Sequence, residues 1–462
     1  MSATMGATER VARYVADVDY ARAPAELEHR TRRAIVDLFA AAVAAREDAG
    51  FRIVRRVVAT EAREGPCTIV PTGETTTPAM AALVNGAAGH ALDYDDVSDT
   101  LYGHPTVTIL PPLLAVAQAR GSSGRALVDA YNVGFDVAVA IAHALPAKPH
   151  FDRGWHATAS IGVMSATAAL CRLMGLDVAR TRHALGIAGS HVGSSRQNFG
   201  TMTKPLHPGS SGFSAVLSAR LAEEGFTADP EQLEKPLGYF ATFGAGSDLR
   251  ALHRSLDAPQ ALLRDGLSFK KYPCCYNTHR SADAAIAIAA AMPTAARESI
   301  ESVTLTLQPS GTDPLIHRRP TTGLQGKFSA EYVVAAGLLD GEVSLLSFRD
   351  PAVQRPAVQD LIRRIEVRES ANPPLGDRSW DFAYAVLEVT SGGRVWRERV
   401  DVPRGDCRLP LTDAELDAKF LHAVEFSGSG WNGPALLREI RALPERRALG
   451  GFAAMTRSPP RD

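Results

Sequence analysis

Apolar positions along roughly the first 265 residues recur at helical spacing. Ile35, Leu38, Phe39, Ala42 and Val43 fall three and four residues apart, the signature of a helix with one buried stripe. The same texture predicts helices near 80–92, 110–120, 126–145, 158–174, 178–190 and 212–225. Several of these are built from small residues, as in the run Gly162 to Leu170, which lets helix backbones approach closely. Gly175, Gly186 and Gly225 stand where helices are expected to end.

The pattern changes after about residue 266. Residues 303–307 (Val-Thr-Leu-Thr-Leu) alternate with period two, as a half-buried strand does. Residues 385–390 and 394–400 flank Ser391-Gly392-Gly393 and read as a hairpin. Helical text continues at 279–292, 329–339 and 354–364, then at 411–424 and 434–443. The expected fold is mainly α with a smaller α+β domain. Residues 1–265 and 410–462 would form a discontinuous helical domain, 266–409 the α+β domain, and 456–462 a frayed tail.

Composition narrows the class of function. Fifty basic residues against 51 acidic leave a net charge of −1, so no overall field favours nucleic acid or an anionic membrane. No uninterrupted apolar run is expected to reach the roughly 18 residues of a membrane span. The first 20 residues carry acids and no apolar core of a secretory signal. Five cysteines without a CxxC pair argue against a disulfide framework, and the chain reads as cytoplasmic.

Chemistry-bearing residues gather in five places. Gly89-His90-Ala91-Leu92-Asp93-Tyr94-Asp95-Asp96, followed by Gly103-His104-Pro105, sets three carboxylates between two histidines. On a helix Asp93 and Asp96 would share a face. Such a cluster suits proton transfer or cation binding, because neighbouring like charges raise each other's pKa; an exposed acidic helix end is the plain alternative. Gly154-Trp155-His156 precedes a small-residue helix, whose start favours anions. Lys204-Pro205-Leu206-His207-Pro208-Gly209 opens another and offers carboxylate partners. Lys271-Tyr272-Pro273-Cys274-Cys275, with Arg280 just beyond, lies where the texture changes, and Phe328-Ser329 with Tyr332 opens an apolar helix. HExxH, EF-hand, P-loop and dinucleotide fingerprints are all missing, so no metal and no nucleotide cofactor is expected.

In this order, over roughly residues 10–445, the five clusters resemble the MmgE/PrpD family of 2-methylcitrate dehydratases and cis-aconitate decarboxylases. The resemblance implies a helical domain with an α+β lid, a homodimer, and cofactor-free chemistry on a small polycarboxylic acid. It places Asp93, His104, His156, Lys204 and Tyr332 in the catalytic set, with His207, Lys271 and Arg280 as further substrate contacts. His104 would be the acid/base and Asp93 its orienting or second proton-handling group. His156 and Lys204 would clamp carboxylates, and Tyr332 would donate a hydrogen bond or proton. Where many relatives have a threonine after the Asp-Asp pair, this chain has Val97. The first expectation is a dehydratase of a citrate-like acid, with an epimerase of a dicarboxylate such as iminodisuccinate, or a cis-aconitate-type decarboxylase, as alternatives.

Overall fold

Small residues decide how the helices of the larger part of the chain meet. The computed structural model describes residues 5–244, 246–376 and 383–450. In it the helices Pro78–Ala91 and Thr203–Glu223 run against each other with Gly86 on Gly209. A Cβ on Gly86 would lie 2.7 Å from the Gly209 Cα, and one on Gly209 would lie 2.3 Å from the Leu83 carbonyl oxygen. Only glycine allows that approach, and it sets the start of one helix beside the end of the other.

The protein is mainly helical with a smaller α+β part. One unit comprises the residues up to Asn198, Met202–Leu267 and those from Asp413 on; the other comprises Phe199–Thr201 and Ser268–Thr412. In the first, the helices Ala25–Ala44, Thr106–Arg120, Gly124–Ala144, Ala157–Ser160, Gly162–Met174, Val178–Gly189 and Asp413–Phe426 join the glycine-packed pair. A two-stranded ribbon, β1 (Cys67–Thr68) with β2 (Thr75–Thr76), was not foreseen, since two residues carry no alternation.

Two expectations change here. Gly186 does not end a helix: it sits inside Val178–Gly189, where a Cβ would come within 2.7 Å of Ala228 and the Asp229 carbonyl. The window Ala157–Met174 is long and apolar enough to cross a membrane by length and composition, and 83% of it is buried inside the fold. Its apolarity is that of a core helix, with Thr106–Arg120, Gly124–Ala144 and Thr203–Glu223 packed around Gly162–Met174.

The second unit carries a four-stranded sheet in the order β4-β3-β5-β6. Here β3 is Ile300–Leu307, β4 Ile365–Glu369, β5 Ala385–Ser391 and β6 Arg394–Val400. β3 pairs parallel to β4 and antiparallel to β5, and β5 turns into β6 through Gly392 and Gly393, both at positive φ. Val303, Leu305 and Leu307 of β3 and Ala385, Leu387 and Val389 of β5 bury their side chains with those of the helices His279–Ala291 and Ala330–Asp340. The cysteines are all free, and Cys407 alone is exposed. The tail at 456–462 lies outside the described residues.

Candidate active site

The helix Pro78–Ala91 ends one residue after His90, so the acidic cluster is a loop and not a helix face. Asp93 turns the chain at φ 52°, a left-handed conformation that aspartate tolerates better than most residues. The loop then closes on itself through an antiparallel bridge, with the Ser98 N–H donating to the Gly103 carbonyl at 2.9 Å. Asp93, Asp95, Asp96 and Ser98 are all buried, which removes the exposed-acidic-end reading.

Buried carboxylates need partners, and each of the three finds a different one. Asp93 Oδ1 accepts from Lys204 Nζ at 2.6 Å and lies 3.9 Å from His104 Nε2. Lys204 comes from the first turn of Thr203–Glu223, where the glycine contact delivers it. Asp95 faces His90 Nδ1 at 2.9 and 3.0 Å and His104 Nδ1 at 3.4 Å. Burial opposes its charge, but the two imidazoles hold its carboxyl well below the ordinary carboxylate range. Asp96, fully buried beside the Asp37 carboxylate, is pushed well above that range and accepts from the Thr106 N–H at 3.3 Å.

His104 is fixed from two sides. Its backbone N–H donates to Thr158 Oγ1 at 3.1 Å, and its ring Nδ1 donates to the Asp96 carbonyl at 2.7 Å. That tautomer leaves Nε2 as the free lone pair, on the side of Asp93 and Lys204. A Cβ on Gly103 would reach 2.8 Å from the Thr158 N, so glycine is what lets this loop lie against Ala157–Ser160.

The other imidazoles close the group. His156, at the N-cap position of Ala157–Ser160, meets His207 with Nδ1 to Nδ1 at 3.0 Å, one ring donating and the other accepting. Burial and the Lys204 ammonium push both below the ordinary histidine value, His207 to about 4. His90 is driven to about 3, by burial above all. Its ring stands edge-on to His104 at 4.5 Å and stacks on His156 at 5.9 Å. Asp93, His104, His156, Lys204 and His207 therefore form one buried cluster. His90, Asp95 and Lys419 were missing from the expected set.

His90 was visible beside the acids in the sequence; Lys419 had no local signal. It reaches from Asp413–Phe426 to donate to Asp37 Oδ1 at 2.6 Å and to the Tyr94 carbonyl at 2.7 Å, pinning the loop between Asp93 and Asp95.

Tyr332, Lys271 and Arg280 belong to the second unit. Tyr332 is fully buried and its hydroxyl donates to the Ser347 carbonyl, while Ser329 caps its helix by accepting from the Tyr332 N–H at 3.1 Å. Arg280 is buried and its Nε donates to the Asp401 carbonyl at 2.8 Å. Lys271 is exposed, with its ammonium 5.3 Å from the Tyr272 ring.

His90, Asp93, Asp95 and His104 bring potential ligand atoms within 4.8 Å of one another, close enough to hold a metal ion. The Lys204 ammonium on Asp93 already supplies a cation to this set, which makes it a poor cradle for a second. What the arrangement offers is a fixed imidazole base beside an ammonium–carboxylate pair, fit for proton transfer at carbon.

Comparison with known proteins settles the ancestry of this cluster. The MmgE/PrpD N-terminal domain matches residues 9–252 and the MmgE/PrpD C-terminal domain matches 272–430. The chain belongs to the MmgE/PrpD family. Among similar proteins of known name, the cis-aconitate decarboxylase of Mus musculus is 32% identical over 354 residues, covering 74% of this chain and 71% of that protein. The Homo sapiens protein of the same name is 30% identical over 355 residues, 74% of this chain and 72% of that one. The cis-aconitate decarboxylase of Aspergillus terreus is 25% identical over 440 residues, 91% and 89% of the two chains. All the site residues of the helical unit up to His207 lie within the N-terminal family domain.

Proposed function

We propose that this MmgE/PrpD protein is a cofactor-independent lyase of a small polycarboxylic acid, with decarboxylation of cis-aconitate the first reaction to test. The observation that carries the reading is the buried grouping of His104 Nε2, Asp93 and the Lys204 ammonium, in a chain 32% identical to a cis-aconitate decarboxylase. Loss of CO₂ from a β,γ-unsaturated carboxylate needs a proton delivered to the alkene carbon as the C–C bond breaks and the double bond shifts. His104 Nε2 is the group placed to deliver it, and Lys204 to balance the negative charge that passes through the transition state. A polycarboxylate entering beside His156 and His207 would raise the proton affinity of both rings, turning neutral imidazoles into charged clamps.

Val97, buried next to the acidic loop, favours a second reading. It offers no hydroxyl where the family resemblance leads one to expect a threonine, and the reading this favours is dehydration of a 2-methylcitrate- or citrate-like acid, or epimerisation of a dicarboxylate such as iminodisuccinate. Both begin with proton removal next to a carboxylate, which the same imidazole would perform. A cytoplasmic homodimer is part of the proposal, and light scattering of the purified protein tests its assembly.

The deciding experiment is proton NMR of the purified protein in D₂O with cis-aconitate, 2-methylcitrate, citrate, malate and iminodisuccinate, with and without chelator. Itaconate carrying one deuterium would establish the decarboxylase. Deuterium entering a hydroxy acid with formation of an alkene would establish the dehydratase. Silence on every acid would sink the lyase reading, and sensitivity to chelator would sink its cofactor independence.

A further inference from the structure

We propose that His90 is a positioning residue for His104, acting through Asp95: the three form a histidine–carboxylate–histidine relay in which one imidazole holds the carboxylate and the carboxylate orients the other. The inference rests on the proposed role of His104 as the acid/base.

The geometry assigns the protons. His90 has no exposed surface, and its Nδ1 faces both oxygens of Asp95, so Nδ1 carries the hydrogen and Asp95 accepts. His90 Nε2 is then a bare lone pair, without a hydrogen-bond partner among the described residues. On the far side, Asp95 Oδ2 stands 3.4 Å from His104 Nδ1, which donates to the Asp96 carbonyl at 2.7 Å. A negative oxygen there favours the Nδ1–H tautomer and so keeps the Nε2 lone pair on the side of Asp93 and Lys204.

The neighbouring residue is an internal control. Asp95 and Asp96 share one loop and one degree of burial, yet Asp95 is held as a carboxylate and Asp96 is pushed toward its neutral acid. The difference lies in what faces them: two imidazoles for Asp95, and one backbone N–H with the Asp37 carboxylate near by for Asp96. Removing the His90 N–H would move Asp95 toward the state of Asp96 and strip His104 of its negative neighbour. The other charged or titratable groups around the relay are Asp93 and Lys204, His156 with His207, and Lys419 on Asp37. The His90 exchange alters the identity of none of these residues.

The test uses His90→Leu, which cannot donate, and His90→Asn, whose amide can replace the Nδ1–H. The His104 ring is titrated by NMR with 13Cε1-labelled histidine, without substrate, and where turnover is found the limb of kcat/KM that His104 sets is followed: the alkaline limb if it delivers the proton, the acid limb if it removes one. In His90→Leu the His104 midpoint, and the limb of the profile that His104 sets, are expected to fall by about one pH unit or more, the scale set by loss of a nearby opposite charge. In His90→Asn both return most of the way. An unmoved midpoint, equal effects of Leu and Asn, or a move to higher pH would each overturn the proposal. If the leucine variant does not fold, Asp95→Asn takes its place and must give the same downward move. The NMR titration needs no turnover, so a wild type silent on every acid defeats the lyase reading while the relay is still decided by the midpoint.

Discussion

Lys419→Met removes one ammonium and keeps most of the aliphatic stem. In the folded protein that ammonium is buried, hydrogen-bonded to Asp37 at 2.6 Å and to the Tyr94 carbonyl at 2.7 Å, and lies 3.8 Å from the Tyr94 ring centre. Deleting one partner of a buried pair costs about 3–5 kcal/mol, because the other charge is left without compensation. Asp37, with no exposed surface, then relieves its charge by taking a proton. At pH 7 that protonation costs about 4 kcal/mol for a carboxylate of ordinary pKa near 3.9, and at pH 5 about 1.5 kcal/mol. The loss should therefore be near 4 kcal/mol at pH 7, plus about 1 kcal/mol for the hydrogen bond lost by the Tyr94 carbonyl, and should shrink by about half at pH 5. Urea melts of variant and wild type at both pH values, followed by far-UV circular dichroism, measure it. Lys419→Met/Asp37→Leu should recover most of the loss, since neither charge remains. A cost under 1 kcal/mol at pH 7, or an equal cost at both pH values, would refute the buried-pair reasoning. The link to function is the Tyr94 carbonyl: once released, the segment holding Asp93 in its left-handed turn loosens, and turnover should fall even where the variant is folded.

Three shorter expectations accompany it. His104→Gln keeps the polar volume and loses the titratable nitrogen, so kcat/KM should drop at least the roughly 10²-fold typical of general acid–base groups; unchanged turnover would remove His104 from the mechanism. Gly209→Ala places a methyl 2.3 Å from the Leu83 carbonyl oxygen and should cost about 1–3 kcal/mol or more in a thermal melt, while Ser210→Ala, an exposed change one residue on, should cost almost nothing. His207 is held neutral, with its value lowered from 6.5 to about 4, so the unfolded chain binds the proton first as pH falls. Stability should then decline from about pH 6.5 to about pH 4, and His207→Gln should flatten that part of the curve; an unchanged slope would show that the ring is free to charge.

Much of the helical body was legible because its helices bury long stripes, and length averages out local ambiguity. What was lost was lost for identifiable reasons. β4 buries only Ile365 of its five residues, so no alternation announced it, and it exists because β3 offers a parallel edge. Gly186 was read as a stop because glycine serves two ends equally well. It permits a left-handed cap, as at Gly175 with φ 68°, or a close approach, as at Gly186, and one sequence does not distinguish them.

The acidic loop shows a deeper limit. Charge density alone marked residues 90–104 as a candidate place of chemistry, and the marking needed no structure. Yet the family resemblance singled out Asp93 alone, and nothing local told apart the charge states of the three aspartates, which differ in the fold. One is paired to an ammonium, one is held charged between imidazoles, and one is pressed toward neutrality by burial and a second carboxylate. Those differences are made by Lys204, His90 and Asp37, each delivered by a helix whose position depends on packing. One of them depends further on Lys419, 325 residues from the carbonyl it holds. The identity of the candidate groups is therefore local information, whereas their protonation states belong to the whole helical unit. A charge-neutral exchange at Asp37 or Lys419, far from His104 in sequence, should consequently be felt in the pH dependence of the site.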